Sequence, residues 1–280
     1  MARAKKRHKA DVPPGHDTPL DYAVTSRDAG GLKMVRDAIR HKEVMLAYQP
    51  IVSANDQKTI AFHEGLIRVL DETGRVIPAK DFMGAVEDDE LGRELDCLAI
   101  QKGTAALAAH PDLRLSINMS ARSIGYSRWM KVLKRGLSRG DNVAERLILE
   151  ISESSAMQVP ELVTDFMDDL QIQGISFALD DFGKGFTSFR YFKNFYFDIL
   201  KLDGQFTRNI HKDEENQIIA EGLARIANGL DMCAVATRVE HPEDAQMLAR
   251  LGFHCQQGFL FGAPTVKPDW LNKKDDRNAA

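Results

Sequence analysis

Cysteine is scarce in this chain: Cys97, Cys233 and Cys255 are the only three among 280 residues. Odd in number, far apart and set in apolar or helical stretches, they suit a reducing cytosol better than a disulfide framework or a zinc knuckle. Long hydrophobic runs are missing as well. None approaches the roughly 18 residues of a membrane span, so no membrane insertion is expected. A Gly-x-Gly-x-x-Gly fingerprint is absent, which argues against an open dinucleotide-binding sheet. Net charge is only −4, and nothing global points to nucleic acid or an anionic membrane as partner. The basic start, with Arg3, Lys5, Lys6, Arg7 and Lys9, leads into no apolar h-region and is therefore not a signal peptide. Residues 1–20 read as a disordered basic tail, and the protein as cytoplasmic.

What is present is a repeat. Hydrophobic residues make up 44% of the chain, enough to bury a full core. Short apolar runs at residues 45–51, 59–69, 114–118, 147–151, 176–180, 199–202, 233–235 and 253–261 read as strands. Stretches 30–42, 80–110, 159–173, 214–230 and 242–251 carry apolar residues at the helical period, with Gly252 as a C-cap. Strands and helices that alternate without a linker imply one domain of parallel strands. With about eight repeats, the expected class is α/β, a (β/α)8 TIM-like barrel. Its expected parts are a helix over 21–44, the barrel over 45–266 and a tail over 267–280.

Polar residues fall at the C-terminal ends of those strands: Glu64 and Arg68, Asn118, Glu150 and Glu153, Asp180 and Asp181, Lys201 and Asp203, Glu240, and Gln257. In such a barrel that end is the active-site face. Carboxylates and an amide converging on one mouth repel one another unless hard divalent cations join them, and oxygen donors select Mg²⁺, Mn²⁺ or Ca²⁺ over zinc. The most informative stretch is Asp180-Asp181-Phe182-Gly183-Lys184-Gly185. There a strand ends in adjacent carboxylates and passes into a loop that two glycines allow to turn tightly. Lys201 faces the same side as Asp203, which leaves open a proton-handling lysine or a plain ion pair.

The ordered motifs Glu64-Gly65-Leu66-Ile67-Arg68, Ile117-Asn118-Met119-Ser120, Leu149-Glu150-Ile151-Ser152-Glu153, Asp180-Asp181-Phe182-Gly183, Asp198-Ile199-Leu200-Lys201-Leu202-Asp203 and Gln257-Gly258-Phe259-Leu260-Phe261 together resemble the EAL family of cyclic-di-GMP phosphodiesterases. The resemblance runs from about Ala47 to Pro264. It implies a barrel that binds the cyclic dinucleotide over two metal ions, Mg²⁺ or Mn²⁺, and opens one phosphodiester to give linear pGpG. In the family Ca²⁺ supports binding and inhibits hydrolysis. Carried over by position, Glu64, Asn118, Glu150 and Asp180 match the first metal's ligands, and Asp180 is shared with a second metal beside Asp181. Lys201 matches the lysine that holds or deprotonates the attacking water. Gln49, Leu66, Arg68 and Gln257 match positions that hold guanine, ribose or phosphate. Glu153, Asp203 and Glu240 match supporting acids.

Two positions depart from the family pattern. Gly65 stands where the signature triplet has alanine, which leaves the Glu64 carboxylate in place at a cost of about 0.5–1 kcal/mol in backbone freedom. The family's late Ala-Glu-Gly-Val-Glu reads Ala236-Thr237-Arg238-Val239-Glu240, so a second-metal glutamate is Thr237 and a glycine is Arg238. A guanidinium 4 Å from a divalent ion is repelled by roughly 8 kcal/mol at an effective dielectric near 20. Alternatively, Arg238 takes that ion's electrostatic place and binds phosphate itself, though it cannot ionise a water. The leading expectation is a cyclic-di-GMP receptor with impaired hydrolysis. The alternatives are an active phosphodiesterase that tolerates Thr237, in which a shifted loop brings in Glu240, and a protein-interaction scaffold that no longer binds the dinucleotide.

Other features read as packing. The aromatic series Phe186, Phe189, Tyr191, Phe192, Phe195, Tyr196 and Phe197 lies where the family couples its metal loop to a dimer interface, so core and homodimer packing is expected there. His63 alternates away from the site, Asp96 is a helix-surface or packing acid, and Trp270 is a barrel-edge contact. With only about 45 residues ahead of the first expected strand, the expectation is a barrel regulated by an unlinked protein partner, by ligand level or by dimerisation.

Overall fold

The computed structural model describes residues 19–185, 192–193 and 195–272. The basic tail, the end of the C-terminal tail, and Phe186, Phe189 and Tyr191 lie outside them.

Among the described residues nine strands follow in chain order: β1 (Val44–Ser53), β2 (Ile60–Leu70), β3 (Val76–Pro78), β4 (Leu115–Asn118), β5 (Leu147–Ser152), β6 (Ser176–Phe182), β7 (Ile199–Leu202), β8 (Cys233–Ala236) and β9 (Cys255–Gln257). Strands β2 and β4 to β9 pair in sequence, all parallel. Strand β1 closes the barrel by pairing with both β2 and β9, and β3 is an extra edge on β2.

The barrel is therefore eight-stranded and closed, but not all-parallel as expected. β1 runs antiparallel to both neighbours. The cause is local. Asp56 accepts hydrogen bonds from the backbone N–H groups of Lys58 and Thr59, tightening a hairpin between β1 and β2 that is too short for the helical crossover a parallel pair requires.

Helices Glu90–Ala109, Ser127–Leu137, Pro160–Gln171, Glu214–Gly229 and Pro242–Arg250 cover the outside. Their starts follow capping chemistry: Asp89 accepts from Glu90 N–H and Asp213 from Asn216 N–H, while Pro160 and Pro242 occupy first-turn positions. The expected single stretch over 80–110 is broken into two short turns and the helix Glu90–Ala109. Gly252 has φ +97 and ends the last barrel helix, as a C-cap glycine does.

Two apolar layers result. The outer one lies between strands and helices, around residues such as Leu115, Leu149, Phe177 and Trp129. The inner one is a floor across the barrel built from Ile51, Phe62, Ile148, Ala178, Ile199, Val235 and Cys255. Because strand side chains alternate with period two, the residue two positions on from each floor residue also points inward. Those residues are Glu64, Glu150, Asp180, Lys201, Thr237 and Gln257, with Gln49 two positions earlier on the reversed β1. On β4 the same step leads from buried Ser116 to Asn118. One ring of the barrel is hydrocarbon, and the ring above it is polar.

Candidate active site at the barrel mouth

Lys201 is at the centre of the polar ring. Its ammonium donates to Glu150 Oε2 at 2.6 Å and Glu64 Oε2 at 2.9 Å, and lies 3.6 Å from Asp180 Oδ1. Glu64 also accepts from Asn118 Nδ2 at 2.6 Å and from Gln257 Nε2 at 2.6 Å. Gln257 reaches Gln49 Oε1 at 3.1 Å, and Gln49 in turn donates to the Gly262 carbonyl at 3.0 Å. Thus Gln49, Glu64, Asn118, Glu150, Asp180, Lys201 and Gln257, named separately from the sequence, meet in one network.

Charge in this network is unbalanced, with three carboxylates around one ammonium. Lys201 is fully buried, which disfavours its charge, yet Asp180, Glu150 and Glu64 overcome this and hold it protonated well above its ordinary value. It is an ammonium donor here. Burial also opposes ionisation of Glu64, but Lys201 and the hydrogen bonds from Gln257, Lys201 and Asn118 outweigh it and keep that carboxyl below the usual range. Glu150 takes the opposite course: burial first, then the Glu64 and Asp180 charges, push it up to about 8 against the pull of Lys201. Burial likewise raises Asp180.

Buried Glu150 Oε1 has no hydrogen-bond partner among the described residues. One carboxylate oxygen from each of Glu64, Glu150 and Asp180 lies within 4.8 Å of the others. An orphaned acceptor in an all-oxygen cluster with excess negative charge fits a hard divalent cation.

Asp181 departs from that cluster. Its backbone is left-handed, φ +53, and its Oδ2 pairs with Lys184 Nζ at 2.7 Å. Glu153 is buried and holds the glycine loop from below, accepting from Gly183 N–H at 3.0 Å and Gly185 N–H at 3.5 Å. Asp203 makes no ion pair with Lys201; it accepts from Gln205 N–H at 2.8 Å and so starts the turn Gly204–Thr207.

A groove of about 590 Å³ opens above the ring, within the range of small-ligand sites. Leu66, Arg68, Arg238, Glu240 and Phe259 line it, and so do Lys80 and Arg208, which sequence reasoning did not single out. Only their placement at loop ends near the mouth could have flagged those two. Arg68 turns one guanidinium nitrogen back onto the Ile67 carbonyl at 2.9 Å, and burial lowers its pKa. The Thr237 hydroxyl donates to the Leu202 carbonyl at 2.7 Å, and Arg238 stands on the rim with φ +55.

His63 points away from the ring, where its Nε2 accepts from Trp270 Nε1 at 3.3 Å. Asp96 is a packing acid: its Oδ2 accepts from Ser120 N–H at 3.0 Å and the Ser123 hydroxyl at 2.6 Å, so it ties down the loop after β4.

The EAL domain family model matches residues 32–264. Among curated proteins, the cyclic di-GMP phosphodiesterase PdeB of Shewanella oneidensis is 28% identical over 99% of this chain and 33% of its own length. PdeF of Escherichia coli, likewise named a cyclic di-GMP phosphodiesterase, is 29% identical over 86% of this chain and 32% of its own. The chain thus spans about a third of the length of these curated relatives. Of solved structures, the cyclic di-GMP complex of the PaMucR phosphodiesterase superposes with a TM-score of 0.75 at 26% identity, covering 86% of this chain and 99% of that one. An EAL domain protein of Listeria monocytogenes gives a TM-score of 0.74 at 25% identity, covering 84% and 94%.

Proposed function

This chain belongs to the EAL domain family, and from that premise we propose that it binds cyclic di-GMP in the groove while hydrolysing it weakly or not at all. The observation that carries the proposal is position 237. It is the residue that follows β8 into the groove wall, and its side chain is a neutral hydroxyl already donating to Leu202 O. The next residue contributes a guanidinium to the groove wall.

The first cation, Mg²⁺ or Mn²⁺ in this proposal, would be held by Glu64, Asn118, Glu150 and Asp180, and Asp181 would face a second one. Such an ion, when bound, supplies positive charge to a phosphate and acidity to a water. The chain's own residues do the rest. Lys201, fixed as an ammonium, orients an oxygen and neutralises carboxylates. Arg68 offers a fork to a phosphate, while Gln49, Leu66 and Gln257 bound the space for base and sugar. Glu153 fixes the loop that presents Asp181, and Asp203 fixes the turn beneath Arg238. With Thr237 uncharged and Arg238 next to it in the chain, these residues would offer a second cation one carboxylate fewer and a guanidinium nearby.

A second reading, an active phosphodiesterase, is supported by Glu240, whose carboxylate also lines the groove. Isothermal titration of cyclic di-GMP in Ca²⁺, followed by chromatography of the mixture after adding Mg²⁺ or Mn²⁺, separates the readings. Tight binding with nucleotide intact after hours supports the receptor, and prompt appearance of pGpG supports the enzyme. Absence of binding would leave only the scaffold.

A further inference from the structure

Gly204 is buried two residues past β7, at the start of the turn that Asp203 caps. A Cβ placed on it would overlap Arg238 Cδ and lie 2.7 Å from Cγ and 2.9 Å from Cβ. Rotating the arginine would move its Cδ and Cγ, but its Cβ is carried by the backbone. Any side chain at 204 must therefore displace Arg238 as a whole. That backbone has little freedom to yield. Thr207 Oγ1 donates to the Thr237 carbonyl, Thr237 Oγ1 donates to Leu202, and Val239 N–H donates to Gln257 O at 3.0 Å. Arg238 itself holds φ +55, a conformation that side chains other than glycine adopt at a cost.

The guanidinium so held is not spent on a neighbour. It pairs with no carboxylate among the described residues, and its nearby cation Lys184 is taken up by Asp181. It lines the same groove as Arg68, Lys80 and Arg208. A strained backbone, a recess cut in the facing residue and an uncommitted cation on a groove wall belong together if the cation has a ligand to hold.

We propose that Gly204 and Arg238 act as one unit, in which Gly204 is the positioning residue that seats Arg238 and the Arg238 guanidinium grips a phosphate oxygen of the bound ligand. The inference rests on the reading that the groove takes a cyclic dinucleotide. It adds to that reading the residue that determines whether the anion contact exists.

The test is a cycle of full-length proteins: the parent chain, Gly204→Ala, Arg238→Gly and the double variant, titrated with cyclic di-GMP in Ca²⁺ at low and high salt. Arg238→Gly and Gly204→Ala should each weaken binding at least about tenfold and flatten its salt dependence. The double variant should bind no worse than Arg238→Gly alone, because the collision has gone with the arginine. Arg238→Lys should recover part of the affinity, which a purely structural role for the position would not predict. Unchanged binding by either single variant, or losses that multiply in the double, overturns the proposal.

If Gly204→Ala fails to fold by circular dichroism, the double variant must fold and bind like Arg238→Gly; failure to do so also overturns it. If the parent chain binds no dinucleotide, the reading of the groove has failed, and inorganic pyrophosphate titrated over the same four proteins then decides the unit. Heat lost with either single change supports it, and no pyrophosphate binding by the parent overturns it too.

Discussion

The hydroxyl of Thr237, the residue just past β8, donates to the carbonyl of Leu202 at the end of β7 at 2.7 Å. Position 237 therefore closes the polar ring by stitching two strands together and brings no charge to it. A glutamate there would have to leave this bond and would meet Arg238 beside it. Thr237→Glu alone should change hydrolysis of cyclic di-GMP by less than about threefold. Thr237→Glu with Arg238→Gly should raise it at least about tenfold, ~1.4 kcal/mol of barrier. Chromatographic assay of pGpG in Mn²⁺ checks both, and no gain in the double variant removes the impairment argument.

Removing Lys201 leaves Glu64, Asp180 and the largely protonated Glu150 in a buried ring without their ammonium. Lys201→Ala should lower stability at pH 7 by about 3–5 kcal/mol, read from urea unfolding. Millimolar Ca²⁺ should restore part of that loss by replacing the missing charge. Equal destabilisation with and without the cation would mean that no ion enters the ring.

Glu150, raised to about 8 by burial and by Glu64 and Asp180, must release its proton to serve a cation. Apparent Ca²⁺ affinity should therefore fall about tenfold per pH unit on going down from pH 8 to pH 6.5. The stability of the ion-free protein should run the other way. The folded state holds the proton that the unfolded chain releases near 4.5, so Glu150's contribution is complete at low pH and lost as pH rises through about 8. Calorimetry on the parent chain and Glu150→Gln tests this, since the variant should lack the slope in affinity.

Asp96 is raised to about 6, chiefly by burial, with the Ser123 and Ser120 hydrogen bonds pulling it down. Its contribution is present below pH 4 and is lost as pH climbs through 6. Asp96→Asn keeps an oxygen for both donors and has no proton to lose. Relative to the parent chain it should be neutral at pH 4 and more stable by about 1–2 kcal/mol at pH 7.5, the residue's partial exposure limiting the gain. Denaturant midpoints at the two pH values decide it.

Gly65→Ala would restore the family's alanine, and it should still be harmful. The added methyl would lie 2.6 Å from Ile117 Cδ1, and the same isoleucine tip fills the space over Gly103 at 2.7 Å. A loss of about 1–3 kcal/mol is expected, relieved by Ile117→Val, as thermal unfolding of the single and double variants would show. The mild view of Gly65 taken from the sequence misses this, because the partner that fills the space is 52 positions away and reaches it only through the parallel pairing of β2 with β4.

Much of the ring was legible beforehand because strand periodicity makes it so. An inward apolar residue followed two positions on by a carboxylate, amide or lysine is a local pattern, and Phe62–Glu64, Ile148–Glu150 and Ile199–Lys201 all show it. Strand β1 defeated the same logic in direction. Its apolar run carries no sign of which way it runs; only the hairpin closed by Asp56 and the double pairing of β1 reverse it. Lys80 and Arg208 were invisible for a related reason, since isolated basic residues on loops acquire meaning only when the groove brings them together.

The sequence by itself determined the class of fold, the oxygen-rich ring and the substitution at Thr237 and Arg238, because composition, period and residue identity are properties of the chain. Only the tertiary structure decided how those groups are spent. It made Lys201 an ammonium shared by three acids instead of the partner of Asp203, left Glu150 Oε1 without a donor, and set Arg238 into the recess of Gly204. Charge states and close contacts depend on which residues meet at 3 Å and how much water is excluded there, and these are fixed when the barrel closes.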